Sequence, residues 1–198
     1  KMNNNGEIAE LYDEKGSKVK NEMLLALISL LCMKSKENLE VVIPYNAPQV
    51  IEMMAQKYQC KVVRAKSNKQ SIMEEILKRS CNTREGGLDQ FSLYFDGLAA
   101  IVHLMNTMAK EEKSLSALME DIPKFYMSEK AIECPWRAKG RVMRTIIEEA
   151  SKGENQVELF EGIKVNHGSG WALILPDSDE PVCRIYSEGV SEEYAEEL

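Results

Sequence analysis

The sequence predicts an α/β protein: a βαβ mixed-sheet domain followed by a small α+β domain with an antiparallel sheet. Two observations carry this, one for each half. Residues 39–80 read LEVVIP, PQVIEMMAQKY, CKVVRAK and NKQSIMEEILKR, short apolar runs alternating with helix-period segments. Strands separated by a helix at this spacing pair in parallel. The second half rests on VELFEGIKVN, GWALILP and VCRIYSEG between 157 and 189, three strand patterns joined by turns. Parallel pairing needs a long crossover, so these strands must be antiparallel.

From the start, NNNGE is a polar loop, IAELY a short strand, 13–16 a turn, and 21–34 a helix with Asn21 as N-cap. LEVVIP, continuous in apolar residues and stopped by Pro44, is a strand buried on both faces. After the βαβ unit, Gly86 and Gly87 break the pattern and SLYF reads as a short strand. DGLAAIVHLMNTMAKE is a strong helix with Leu98, Ile101, Val102, Met105 and Met108 on one face. A shorter helix begins at Ser114, and the rhythm changes between 123 and 128. Beyond it come ECPW, a helix at RVMRTIIEEASKG, the three strands, and a terminal helix starting at Ser191.

With 44% hydrophobic and 29% charged residues, the 198-residue chain is an ordinary globular balance for one large domain or two small ones. A net charge of −7 without a basic stripe speaks against nucleic acid as a partner. The longest apolar run, MLLALISLLCM, is too short to span a bilayer and is flanked by charge, so no membrane span is expected. Cys32, Cys60, Cys81, Cys134 and Cys183 form no CxxC pair and sit in or beside apolar runs, which favours buried thiols in a reducing cytoplasm. Lys1 opens onto Asn-Asn-Asn-Gly without a signal peptide, as if cut from something longer.

This layout, with LYDEKG, the DGLAAIVHLMNTMA helix and EPVCRIYSEG as flanks, resembles the α-D-phosphohexomutases, the phosphomannomutase/phosphoglucomutase family. Those enzymes move phosphate between C1 and C6 of hexoses on four domains. The resemblance implies that residues 1–38 are the tail of domain II, 39–125 domain III and 126–198 the C-terminal domain IV.

Three family loops fall inside the chain, and each departs from its pattern. In the magnesium loop (Asp-Gly-Asp-Gly-Asp-Arg), Asn3, Asn5 and Glu7 stand for the aspartates and Ile8 for the arginine. Mg²⁺ takes hard oxygen ligands, mostly carboxylates, so this set would bind it much more weakly. In the sugar loop (Gly-Gly-Glu-x-Ser-Gly-His), Gly86 and Gly87 stand, Leu88 replaces the glutamate, and Ser-Gly-His is absent. In the phosphate loop (Arg-Pro-Ser-Gly-Thr-Glu-Pro), the chain reads Leu175, Pro176, Asp177, Ser178, Asp179, Glu180, Pro181. Phosphate needs N–H or O–H donors and positive charge. Each of two carboxylates 4–6 Å away would instead repel it by roughly 1 kcal/mol or more.

Outside the loops, the alternating acids of 177–180 lack the length and distal Glu of a calcium loop and read as a solvated turn, with Arg184 as an ion-pair partner. His103 and His167 have no acid or nucleophile beside them in sequence and are expected at the surface. Arg137, Lys139, Arg141 and Arg144 are the one basic patch. The favoured reading has Trp136 anchoring a strand-to-helix junction; the other is an anion site near Gly140.

The resemblance places the phosphate-carrying serine in the absent first domain, so no catalytic residue is assigned and this region alone is expected to be inactive. What it implies is the mutase-like tail of a mannose-1-phosphate guanylyltransferase-type protein with a regulatory, assembly or weak sugar-phosphate-binding role. Its partners would be upstream domains of the parent chain, a hexose phosphate and a second copy, in the cytoplasm and without a cofactor. An active mutase with divergent loops, using Mg²⁺, is the alternative. A third reading makes Phe91, Tyr94 and Phe95 an apolar interaction face.

Overall fold

The computed structural model describes residues 10–35, 39–80, 87–152 and 156–198. The chain divides after Lys124 into two compact units.

The first unit is built on β1 (Glu40–Pro44) and β2 (Lys61–Ala65), paired in parallel with Val42 opposite Val63. The crossover between them is α2 (Val50–Lys57). Four of the five β1 residues are buried, as the uninterrupted apolar run requires. The Arg64 guanidinium holds the β1–α2 loop: it donates to the carbonyls of Tyr45 and Ala47, both at 2.8 Å, and pairs with both Glu52 oxygens. α3 (Lys69–Ser80) lays Ile72 and Ile76 on Val42 and Ala65.

α1 (Asn21–Ser35) packs on β1, α2, α4 and α5. Its cap falls one residue earlier than the sequence suggests: Asn21 is already helical and the Lys20 carbonyl accepts from Leu24. Of the IAELY strand, residues 8 and 9 lie outside the described residues, and the rest contributes a single antiparallel bridge, Tyr12 to Lys18. The intervening turn is set by Asp13, whose carboxylate accepts from the amides of Lys15 and Ser17, and by Gly16 at φ +79°.

α4 (Gly87–Phe95) is the main departure from the sequence reading. SLYF is the end of this helix, not a strand, because its apolar residues are wanted three and four apart. Phe91, Tyr94 and Phe95 pack against the Val42–Ala65–Ile72–Ile76 core, so they are an internal contact and not a free interaction face. α4 also delivers Gln90, which is 2% exposed. Its Oε1 accepts from the Val42 amide at 3.2 Å and its Nε2 donates to the Val42 carbonyl at 2.7 Å. One side-chain amide thus does for β1 what a neighbouring strand would do.

α5 (Gly97–Glu111) starts on Asp96, whose carboxylate accepts from Leu98 and Ala99. The stripe read from the sequence is divided by the structure. Ile101 and Met108 are half-buried, whereas Leu98, Val102 and Met105 are all more than half exposed; the fully buried residue is Leu104, outside that stripe. The apolar arc of this helix is wider than the surface available to cover it. α6 (Leu115–Met119) begins on the Ser114 cap. The ends of α1 and α5 are tied by Lys34, which bonds Glu111 at 2.7 Å and Asp121 at 2.9 Å; Lys113 joins the same Asp121.

The second unit is a five-stranded antiparallel sheet, ordered β3-β7-β6-β5-β4. Its strands are β3 (Tyr126–Glu133), β4 (Gln156–Glu158), β5 (Ile163–His167), β6 (Gly170–Pro176) and β7 (Val182–Gly189). The sequence reading lacks β3, an edge strand whose residues are mostly exposed and carry Glu129, Lys130 and Glu133, so no apolar alternation marks it. It also joins β4 to β5, which the structure separates by a turn ending at Gly162. That residue sits at φ +64°, where a Cβ would run into the Ile174 carbonyl. α7 (Trp136–Ala150) packs on β5, and α8 (Glu192–Glu197), capped by Ser191, packs on β3 and β7.

Replacing Gln90 by Leu keeps the bulk but leaves the buried Val42 N–H and C=O unpaired. Each unpaired group costs about 1–3 kcal/mol. Urea unfolding of Gln90→Leu is expected to show the first unit destabilised by roughly 2–6 kcal/mol; a change under 1 kcal/mol would mean that β1 finds other partners.

Candidate functional site

The turn between β6 and β7 forms because the Asp177 amide donates to the Val182 carbonyl at 3.1 Å, closing the strand pair around residues 178–181. Inside it, Asp177 organises everything. Its Oδ1 accepts from the amides of Asp179 at 2.8 Å and Glu180 at 2.9 Å, an Asx turn. Its Oδ2 accepts from Arg184 Nε at 2.7 Å. The same guanidinium donates to Glu180 Oε2 at 2.8 Å and lies 3.5 Å from Glu129.

From outside the turn, α7 supplies Lys139. Its ammonium donates to the carbonyls of Asp177 and Glu180, the latter at 2.6 Å, and lies 3.8 Å from the centre of the Trp136 ring. Lys139 is only 9% exposed. Of the basic patch, then, Lys139 is a staple for the acidic turn, while Arg137 and Arg141 stay exposed on α7. Trp136 is itself half exposed and acts as the platform under Lys139.

The chemistry of this arrangement is that of an anion site filled by its own chain. Two backbone amides and a guanidinium converge on one carboxylate, the donor set an oxyanion would use. Arg184, followed by the amides of Asp179 and Glu180, pulls the Asp177 carboxyl down to about 2. Ser178, Asp179 and Glu180 are exposed around it. An incoming phosphate would meet the exposed acids and find these donors engaged.

Asn3, Asn5, Glu7 and Gly86 lie outside the described residues. Gly87 opens α4 and Leu88 follows within the helix, so the described part of the sugar-loop stretch is helical. Among the described residues, no group of three or more His, Cys, Asp or Glu side chains is placed to hold a metal ion. His103 is half-buried on α5, where its carbonyl accepts from Thr107. His167 is exposed; its Nδ1 lies 3.1 Å from the Tyr194 hydroxyl, which donates to the His167 carbonyl. Sequence reasoning missed the Lys139 bridge, since nothing local signals that a helix residue will meet a turn 38 residues away.

Asp177 titrates lower in the folded chain than an ordinary carboxyl near 4. Its stabilising effect is therefore complete above about pH 4 and is lost as pH falls through about 2. Calorimetry across this window should show the wild-type melting temperature falling more steeply than that of Asp177→Asn. Parallel profiles would mean that the carboxylate contributes nothing.

Comparison with known proteins bears on which turn this is. A family model described as phosphoglucomutase/phosphomannomutase, alpha/beta/alpha domain III, matches residues 20–126. A probable phosphoglucosamine mutase of Methanopyrus kandleri is 26% identical over 190 residues, covering 93% of this chain and 42% of that protein. A phosphoglucomutase/phosphomannomutase of Thermococcus kodakarensis is 24% identical over 196 residues, 96% of this chain and 42% of its own length. The chain thus spans about two fifths of the curated relatives it matches. Among solved structures, a phosphoglucomutase/phosphomannomutase family protein from Burkholderia thailandensis superposes with a TM-score of 0.73 at 14% identity, over 95% of this chain and 41% of that one. Aspergillus fumigatus N-acetylphosphoglucosamine mutase gives 0.61 at 9% identity, over 95% and 44%. These distant structures share the fold, and the sequence match over more than half of the chain makes it a member of the phosphoglucomutase/phosphomannomutase family.

Proposed function

We propose that this chain is a phosphohexomutase-type region that no longer binds sugar phosphate at its phosphate loop and contributes assembly or regulation to a longer sugar-phosphate enzyme. The observation that carries this is Asp177: its carboxylate takes two turn amides and Arg184, donors that a substrate phosphate would use. The exposed Asp179 and Glu180 add repulsion at the same turn. The names of the relatives, phosphoglucosamine mutase and phosphoglucomutase/phosphomannomutase, point to hexose or hexosamine phosphates as the substrate class of the parent protein.

For that parent we infer a sugar-nucleotide enzyme of the mannose-1-phosphate guanylyltransferase type, in which a nucleotidyltransferase precedes mutase-like domains. What favours it is that the metal, sugar and phosphate loops depart together from the family pattern, as expected where another domain carries the chemistry. Coding sequence upstream of Lys1 separates this parent from a working mutase: a glycine-rich nucleotidyltransferase signature supports it, and an intact phosphoserine loop overturns it.

Titration calorimetry tests the dead loop directly. The wild-type chain is expected to give no saturable heat with glucose 1-phosphate or mannose 1-phosphate. The combined variant Leu175→Arg, Asp177→Ser, Ser178→Gly and Asp179→Thr, which restores the family pattern, is expected to gain affinity at least tenfold. Micromolar binding by the wild type would sink the proposal.

A further inference from the structure

The outer face of α7 takes no part in the site described above. Arg137, Arg141 and Arg144 stand four and three residues apart, so they form one row, and all three are exposed. Among the described residues none of them has an ion-pair partner, although the chain carries a net charge of −7. The row opposes the helix that bears it. Like charges at this spacing repel, and Arg137 lies in the first turn, where the helix dipole disfavours a cation. Gly140 stands beside the row in the helix interior, where glycine costs stability relative to alanine. Its φ is not positive, and a Cβ added to it would meet nothing within 4 Å, so the fold itself does not call for a glycine here. One turn before it stands Trp136, half exposed.

A complement to this row lies on the same chain. α8 exposes Glu193, Glu196 and Glu197, and among the described residues these too have no ion-pair partner. Glu193 and Glu197 repel each other at four-residue spacing, and Glu196 and Glu197 stand in the last turn, where the dipole disfavours an anion. α7 packs on β5 and α8 on β3 and β7, and the two rows form no ion pair with each other inside one copy. The acids of the 177–180 turn match the arginine row less well, since Asp177 and Glu180 are already held by Arg184.

We propose that the Arg137–Arg141–Arg144 row of α7 docks on the acidic face of α8 in a second copy of this chain, and reciprocally, so that the contact closes as a two-fold dimer. Each row relieves the repulsion within the other. The bare backbone at Gly140 lets the partner helix come close, and Trp136 supplies a large aromatic contact of the kind that anchors interfaces. Exposed charge steers such an encounter and is screened by salt. The dimer gives a surface to the assembly role proposed above, without resting on the state of the phosphate loop.

The test is sedimentation velocity of the 198-residue chain over a concentration series. The wild type is expected to show a monomer–dimer equilibrium at about 0.05 M salt that shifts to monomer at about 0.5 M. One variant carries Arg137→Glu with Arg141→Glu, and a second carries Glu193→Lys with Glu197→Lys. Each alone is expected to dimerise more weakly by roughly tenfold or more. Mixed in equal amounts, the two are expected to associate again, because each row then meets its opposite in both directions. Arg137→Glu and Glu197→Lys also place charge at the favourable end of their helix, so the melting temperatures are expected not to fall, which separates lost docking from lost folding. A wild type that stays monomeric at every concentration, a dimer that neither variant weakens, or variants that stay apart on mixing would each overturn the proposal. No sugar phosphate enters this experiment, so a monomeric wild type would end the dimer and leave the dead-loop reading to its own titration.

Discussion

The first unit depends on one side chain standing in for a strand. A parallel pair of five-residue strands is a small sheet, and β1 is buried on both faces, so its second edge has no water to turn to. Gln90 meets that demand with an acceptor and a donor held in one plane, as a peptide group would present them. Anchoring α4 there fixes where Phe91, Tyr94 and Phe95 lie, and these close the core formed by the two strands and α3. The helix that follows, α5, begins at the next residue but one after α4 and is capped at once by Asp96, so its placement is inherited from the same contact.

The second unit shows the converse arrangement, with charged groups neutralised by each other rather than by ligand. Asp177 needs Arg184 and the turn amides, and the turn carbonyls in their turn need Lys139. A buried ammonium is costly unless its protons are taken, and two carbonyls with the Trp136 ring face take them. The result is an acidic turn in which Asp177 and Glu180 share the Arg184 guanidinium. A lysine to methionine exchange at 139 would therefore be felt at the turn before it was felt in the helix.

Much of this was legible in the sequence, for reasons that can be named. The parallel pair follows from the uninterrupted LEVVIP run and from crossover spacing, and the antiparallel sheet follows from turns too short to cross over. The helix starts at Asp96, Ser114 and Ser191 were readable because capping is local chemistry, whereas the Asn21 cap was placed one residue late. The failures were non-local. SLYF has strand composition and is a helix because Gln90 and Phe91 are required on one side of β1. β3 is an edge strand whose alternation is hidden by charge. The loops could be recognised as altered, but that Asp177 turns inward to occupy the donors is a matter of geometry that no spacing rule contains.

The strand order of the second unit has a consequence for how the chain comes together in time. β3 is the first strand of this unit to leave the ribosome, yet among the described residues it pairs with β7, the last. The hairpins β4–β5, β5–β6 and β6–β7 join near neighbours and can close in sequence as each strand is made. β3 must wait, with α7 already synthesised behind it, until residue 182 onward is available. Its many charged and exposed positions keep that waiting segment soluble, and the last ladder to form is the one that carries the register of the whole sheet back to its beginning.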